Sequence, residues 1–251
     1  MTNSLQNRVI LVTGVTQGLG EQVALYCAEQ GATVILVGRK QRKLEALYDQ
    51  ITQAGWPEPV AIQMDFLTIS DDALSAYAYQ IKQTTGKLDA IIHCAAYFYA
   101  LSPLFEQRMD EWQNQYRINT VAPFALTRAC LPLLADSPNA HVIFVGESHA
   151  HQPKAYWGGF GASKAGLAYL AQVAQDEWDK TPKIHVHHLI PGCINSPQRN
   201  RTHPGEAKTE RANIADILPF FKAALLQEGD IRTDITIDCA ALLATQKQST
   251  P

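Results

Sequence analysis

Six short runs rich in Val and Ile recur along the 251-residue chain, at 9–12, 33–37, 60–63, 88–93, 141–145 and 184–190. Longer stretches with helical apolar spacing lie between and after them, at 18–30, 40–54, 70–85, 110–135, 155–179 and 214–227, mostly with Gly, Pro, Asn or Asp at their margins. Strands that alternate with helices form βαβ units, whose crossovers lay helices on both faces of a parallel sheet. The pattern predicts a single doubly wound α/β domain, residues 1–251, around a mostly parallel sheet of seven strands. No Ser/Pro/Gly-rich linker, internal repeat or low-complexity tract divides it, apart from a polar tail from Gln246 onward. A chain of this length buries about 70–75% of its unfolded surface, so neither a disulfide nor a structural metal is required for stability.

Charge and cysteine usage exclude several classes of function. With 21 basic and 24 acidic side chains, a net charge of −3, there is no positive excess to bind nucleic acid or an acidic membrane surface. The five cysteines (Cys27, Cys94, Cys130, Cys193 and Cys239) are dispersed and form no C-x-x-C pair, which argues against a disulfide framework or zinc site. His149 and His151, and the group His185, His187 and His188, lack a further ligand at a suggestive spacing, so no metal is expected. The polar N-terminus lacks the apolar core of a signal peptide, and no run reaches the ~18 apolar residues of a membrane span. A cytoplasmic location is expected. Residues 195–212 break the strand and helix pattern and read as a mobile, solvated loop placed to cover a substrate. Its basic residues Arg199, Arg201, His203, Lys208 and Arg211 are partly offset by Glu206 and Glu210.

After the first apolar run comes Thr13-Gly14-Val15-Thr16-Gln17-Gly18-Leu19-Gly20, leading into a helix. Glycines let the backbone turn tightly and approach a pyrophosphate, while open N–H groups and the helix dipole attract its charge. This Thr-Gly-x-x-x-Gly-x-Gly string resembles the short-chain dehydrogenase/reductase family, and the likeness continues from Arg8 to about Asp238. That resemblance implies a Rossmann fold and a dinucleotide held by Gly14, Thr16, Gln17, Gly18, Leu19 and Gly20 at its phosphates. It places Asp65 and Phe66 at the adenine, Ala95 and Ala96 after the fourth strand, and Lys164, Pro191, Gly192, Ile194 and Ser196 around the nicotinamide half. Cofactor choice follows from the end of the second strand, where an acidic residue suits the ribose hydroxyls of NAD and Arg suits the 2′-phosphate of NADP. Gly38 and Arg39 stand there. NADP(H) is the expected cofactor, with NAD(H) the second choice.

Members of that family reduce carbonyls or oxidise alcohols with Ser, Tyr and Lys supported by Asn, the Tyr serving as proton donor or acceptor four residues before the Lys. The resemblance implies Asn119 and Lys164 as catalytic positions. It puts Phe160 where Tyr is expected, and Glu147 where Ser is expected, with Ser148 beside it. A phenyl ring has no proton to give, and an ionised Glu147 would repel an alkoxide unless burial kept it protonated. Ser148, His149 and Tyr156 are the candidate substitute donors. Three readings stay open: an NADP(H)-dependent oxidoreductase with weak or altered turnover of a small carbonyl or alcohol, an inactive NADP(H)-binding sensor or scaffold, and an enzyme using Glu147 as base. The resemblance also implies a homodimer or homotetramer.

Overall fold

The apolar runs form strands at β1 (Val9–Thr13), β2 (Thr33–Gly38), β3 (Val60–Gln63), β4 (Ala90–His93), β5 (Ala140–Val145) and β6 (Ile184–Ile190), and a seventh, β7 (Thr236–Asp238), completes the sheet. The computed structural model describes residues 4–180, 184–228 and 235–248. The helices are α1 (Gly18–Glu29), α2 (Gln41–Gln53), α3 (Asp71–Thr85), α4 (Met109–Tyr116), α5 (Ala122–Ala135), α6 (Gly158–Trp178), α7 (Pro197–Thr202), α8 (Ile214–Leu226) and α9 (Cys239–Gln248). Strand order is β3-β2-β1-β4-β5-β6-β7, and every neighbouring pair is parallel. The sheet is thus wholly parallel rather than mostly so. β7 has no apolar run behind it, because only Ile237 of its three residues is buried.

Both faces of the sheet are dry. Ile10, Val12, Leu36 and Ile92 pack with α1 and α8 on one side, while Val9, Leu11, Val37 and Phe144 pack with α3, α5 and α6 on the other. Side chains still alternate along each strand, but two apolar faces hide that alternation in the sequence and leave continuous hydrophobic runs. β1 lies between β2 and β4, so successive crossovers leave it in opposite directions and open a crevice beyond its carboxyl end.

One expected helix, 110–135, is interrupted without breaking. Between α4 and α5 lies a π turn, Arg117–Val121, in which the Ala122 N–H donates to the Arg117 carbonyl five residues back. Pro123 accounts for it: proline has no N–H to offer the Asn119 carbonyl four residues earlier, so a regular α-helical bond is impossible there. The turn puts Asn119, fully buried, at the sheet's edge of the helix. The whole run Met109–Ala135 has the length and apolar character of a membrane span, yet more than half of its apolar window is buried inside the fold. The start of α6 differs too. Tyr156 has φ +75°, which ends the preceding turn and delays the helix from 155 to Gly158.

The loop expected to be mobile is instead cross-braced. Glu206 takes a bidentate pair from Arg199 at 2.7 and 2.6 Å and a third bond from Arg211 Nε at 2.8 Å. Hydrogen bonding to Arg199, then its charge and those of Arg211, hold the Glu206 carboxyl down to about 2. Arg211, itself buried, also binds Asn200 Oδ1 and the carbonyls of His203 and Glu206. Arg201 donates to the Phe98 and Tyr99 carbonyls and lies over the Phe98 ring, fastening α7 to the segment after β4.

Two expectations follow for stability. Burial pushes His93 down to about 3, His141 to about 2 and His188 to about 4, the charge of Lys164 adding to the shift at His93 and, after His151, at His188. Each stays neutral when folded but binds a proton near pH 6.5 when unfolded. Their contribution is therefore complete above 6.5 and lost as pH falls toward 4, at about 4 kcal/mol per pH unit for the three together. Urea unfolding from pH 6.5 to 4.5 checks this, and His141→Gln should flatten the dependence by about a third. Glu206→Gln leaves Arg211 buried beside a neutral partner; we expect a loss of roughly 1–3 kcal/mol. Limited proteolysis should then cut between 195 and 212, and an uncut loop would argue against the brace.

Candidate active site

A cavity of about 210 Å³ occupies the crevice at the carboxyl ends of the strands. Its middle is the turn after β1, with Gly14, Thr16, Gln17, Gly18, Leu19 and Gly20 all on its wall. Gly14 adopts φ +73°, and a Cβ there would sit 2.7 Å from the Ala95 Cα, so the turn presses directly on the backbone beyond β4. A Cβ on Gly20 would meet the Gly14 carbonyl oxygen at 2.5 Å, which packs the first turn of α1 onto the loop. Gln17, extended at φ −173°, begins α1 without a side-chain cap, leaving the first N–H groups of the helix for an anion. The chemistry of the wall suits a pyrophosphate.

On one side of this turn lie Arg39 at the end of β2 and Asp65 and Phe66 beyond β3. Arg39 is exposed, and Lys43 from α2 reaches across to donate to the Thr16 carbonyl at 2.9 Å. On the other side are Ala95 and Ala96 after β4, Glu147 after β5, Lys164 from α6, and Pro191, Gly192, Ile194 and Ser196 after β6. Every residue expected to hold the nucleotide lines this one crevice. Several other lining residues were not singled out as binding positions from the sequence, among them Tyr97, Val145, Gly146 and Pro197, and Arg199, read there only as a charge of the loop, lines the same crevice. Gly146 had a signal only in three dimensions: a Cβ there would stand 2.2 Å from the ring of His188 on β6.

The expected catalytic positions divide. Lys164 is buried in the crevice wall and donates to the Val145 carbonyl at 2.8 Å. Burial lowers it to about 8, opposed by the negative charge of Glu147. Asn119 lies behind the wall, with its side chain committed: it accepts from the Tyr97 N–H at 2.7 Å and donates to the Tyr97 carbonyl and Ser163 Oγ, each at 2.9 Å. It positions the segment after β4 against α6. Phe160 is 2% exposed and packs edge-on against Phe98 at 5.4 Å, with Trp157 completing the block. Its ring is core, not cavity lining. Tyr156 lies ahead of α6 and is 55% exposed, so it does not share the face of Phe160.

Glu147 is the charged group that the sequence left undecided. Burial alone would raise its carboxyl, but hydrogen bonds from His149 and Ser148, with the charges of His149 and Lys164, bring it below the usual carboxylate value. It is ionised at neutral pH, contrary to the possibility that burial keeps it protonated. Ser148 Oγ donates to Oε1 at 3.0 Å and His149 Nδ1 lies 3.1 Å from the same oxygen. A carboxylate only accepts, so Nδ1 carries the proton. His149 in turn stacks on Trp157, ring centroids 3.7 Å apart.

Comparison with known proteins agrees with this geometry. The short chain dehydrogenase family matches residues 8–207. Over 234 residues the chain is 32% identical to YciK, an uncharacterized oxidoreductase of Escherichia coli K12, covering 93% of this chain and 92% of that protein. A short chain dehydrogenase from Shigella flexneri 2a, complexed with NADP, superposes with a TM-score of 0.89 at 32% identity, covering 96% of this chain and 100% of its own. One from Escherichia coli CFT073, complexed with NADPH, gives 0.88 at 32% identity, covering 95% and 99%. A family match along residues 8–207 and likeness to YciK over nearly the whole length place this chain in the short chain dehydrogenase family of oxidoreductases.

Proposed function

We propose that the chain binds NADP(H) and acts as an oxidoreductase on a small molecule, with a weakened capacity for ordinary carbonyls and alcohols. The observation that carries this reading is the unbroken crevice from exposed Arg39 past the glycine turn to buried Lys164. The relatives complexed with NADP and NADPH support the cofactor. The turn and the start of α1 hold the pyrophosphate, Arg39 and Lys43 meet the 2′-phosphate, and Asp65 and Phe66 bracket the adenine. Lys164 holds the nicotinamide ribose, as the family resemblance implies, and Pro191, Gly192, Ile194 and Ser196 close the far side. When bound, the nicotinamide gives or accepts a hydride.

What the chain supplies to the proton side is poor. Phe160 offers no acidic hydrogen, and the ionised Glu147 raises the energy of an alkoxide forming beside it. The same reading treats residues 1–251 as one functional domain in a cytoplasmic homodimer or homotetramer. Exposed Met109, Phe124 and Tyr169 on α4, α5 and α6 supply apolar surface for pairing.

Fluorescence titration with NADPH and NADH tests the cofactor. Arg39→Ala should weaken NADPH about tenfold and leave NADH nearly unchanged; equal weakening would remove the case for the 2′-phosphate. Phe160→Tyr puts a phenol four residues before Lys164 and, provided its hydroxyl emerges from the aromatic block into the crevice, raises turnover of a carbonyl panel by roughly 10²–10⁴ with nucleotide affinity unchanged. Fast turnover by the natural chain would overturn the account of its proton supply.

A further inference from the structure

Two features of this crevice point the same way. The position four residues before Lys164 is a phenyl ring sealed in an aromatic block, and the carboxylate of Glu147 stands on the cavity wall. Its Oε1 is held by Ser148 and His149, while Oε2 has no hydrogen-bond partner among the described residues. The nearby cations leave that oxygen free. Lys164 is directed to the Val145 carbonyl, and Arg199 is taken up by Glu206, so neither forms an ion pair with Glu147 among the described residues. His149 spends its one Nδ1 proton on Oε1, and His203 bonds Thr202.

A carbonyl acceptor is the wrong match for such a site, because hydride addition leaves an alkoxide that needs a proton and is repelled by a carboxylate. A cationic acceptor reverses both terms. We propose that the natural substrate of this site is a cationic C=N compound, an iminium ion, or in the opposite direction the corresponding amine. The proposal rests on the NADP(H) reading above and names its substrate class. The electron count closes without an acid: the hydride brings two electrons to the iminium carbon, the C=N π pair moves onto nitrogen, and a neutral amine forms. No proton moves in that step. Glu147 is the specificity-determining residue: its charge favours the cation in the bound state, and repulsion from the Lys164 ammonium on the same wall, with the cost of desolvating the cation, cuts that preference to roughly tenfold.

Calorimetry on the full chain loaded with NADPH, whose nicotinamide is neutral and which cannot reduce the saturated probes, tests this without turnover. The probes are N,N-dimethyl-1,2,3,4-tetrahydroisoquinolinium, a permanent cation, and its neutral carbon isostere 2,2-dimethyltetralin. We expect the cation to bind about tenfold tighter, and Glu147→Gln to abolish that preference while Glu147→Asp keeps part of it. A parallel assay follows NADPH consumption with N-methyl-3,4-dihydroisoquinolinium and with 2-tetralone, each corrected for reaction with free NADPH. The iminium should be reduced at least 100-fold faster in kcat/KM, and Phe160→Tyr should raise only the ketone rate. Equal binding of both probes, binding of neither, or a preference that survives Glu147→Gln overturns the proposal. So does ketone reduction at the iminium rate that is lost in Tyr97→Phe, the phenol on the cavity wall. Failure of the chain to take up NADPH at all would instead sink the NADP(H) reading.

Discussion

The close approach of Gly14 to Ala95 is the contact on which the site depends. Two backbones meet there with no room for a Cβ, at the point where the crossovers from β1 and β4 part in opposite directions. Ala95 N–H donates to Thr13 Oγ1 at 3.0 Å, tying the two strand ends together. Because the turn is pressed against β4, the first turn of α1 is aimed across the crevice, and its open N–H groups face the cavity rather than the sheet. From this junction the crevice runs to β2 and β3 on one side and to β5 and β6 on the other.

The part of the crevice beyond β5 and β6 carries three charged side chains, Glu147, Lys164 and Arg199, beside the polar groups of Tyr97, Ser196 and Thr202. Arg199 is paired with Glu206, whereas Glu147 and Lys164 each cost desolvation and are each held by fixed hydrogen bonds rather than by an ion pair with the other. Lys164 is steadied by a carbonyl and brought down to about 8, so its ammonium is retained at neutral pH only by a modest margin. Glu147 is steadied by Ser148 and by His149, whose ring is in turn locked against Trp157. The charge at Glu147 is therefore a property of the aromatic block as much as of the carboxyl itself.

The fold and the lining of the crevice were largely legible in the residues, and for a physical reason. Strands dry on both faces must read as apolar runs, and a phosphate turn must be rich in glycine, so β1 to β6 and Gly14 to Gly20 announced themselves. What stayed hidden depends on pairings distant in sequence or on single backbone angles. β7 buries only Ile237 and adds to the sheet through backbone bonds. The order of 195–212 comes from Glu206 meeting Arg199 and Arg211 together, whereas a count of charges sees only a polar segment. The start of α6 at Gly158 rather than 155 turns on one left-handed residue, Tyr156. The π turn was within reach, since Pro123 stands four residues after Asn119, but it required asking which donor that carbonyl had lost.

Phe160 is fixed by its surroundings. Its ring sits among Phe98 and Trp157, Phe98 is capped by the Arg201 guanidinium, and Arg201 anchors the braced loop. A phenol in that place would bring a hydroxyl that needs a partner, and the phenyl ring instead joins a dry block linking α6, the segment after β4 and α7. The same block supports the Trp157 face on which His149 rests, and through His149 the ionised state of Glu147. Phe160 and Glu147 are thus mechanically connected: the apolar packing that holds the ring at 160 also holds, through Trp157 and His149, the negative charge on the cavity wall.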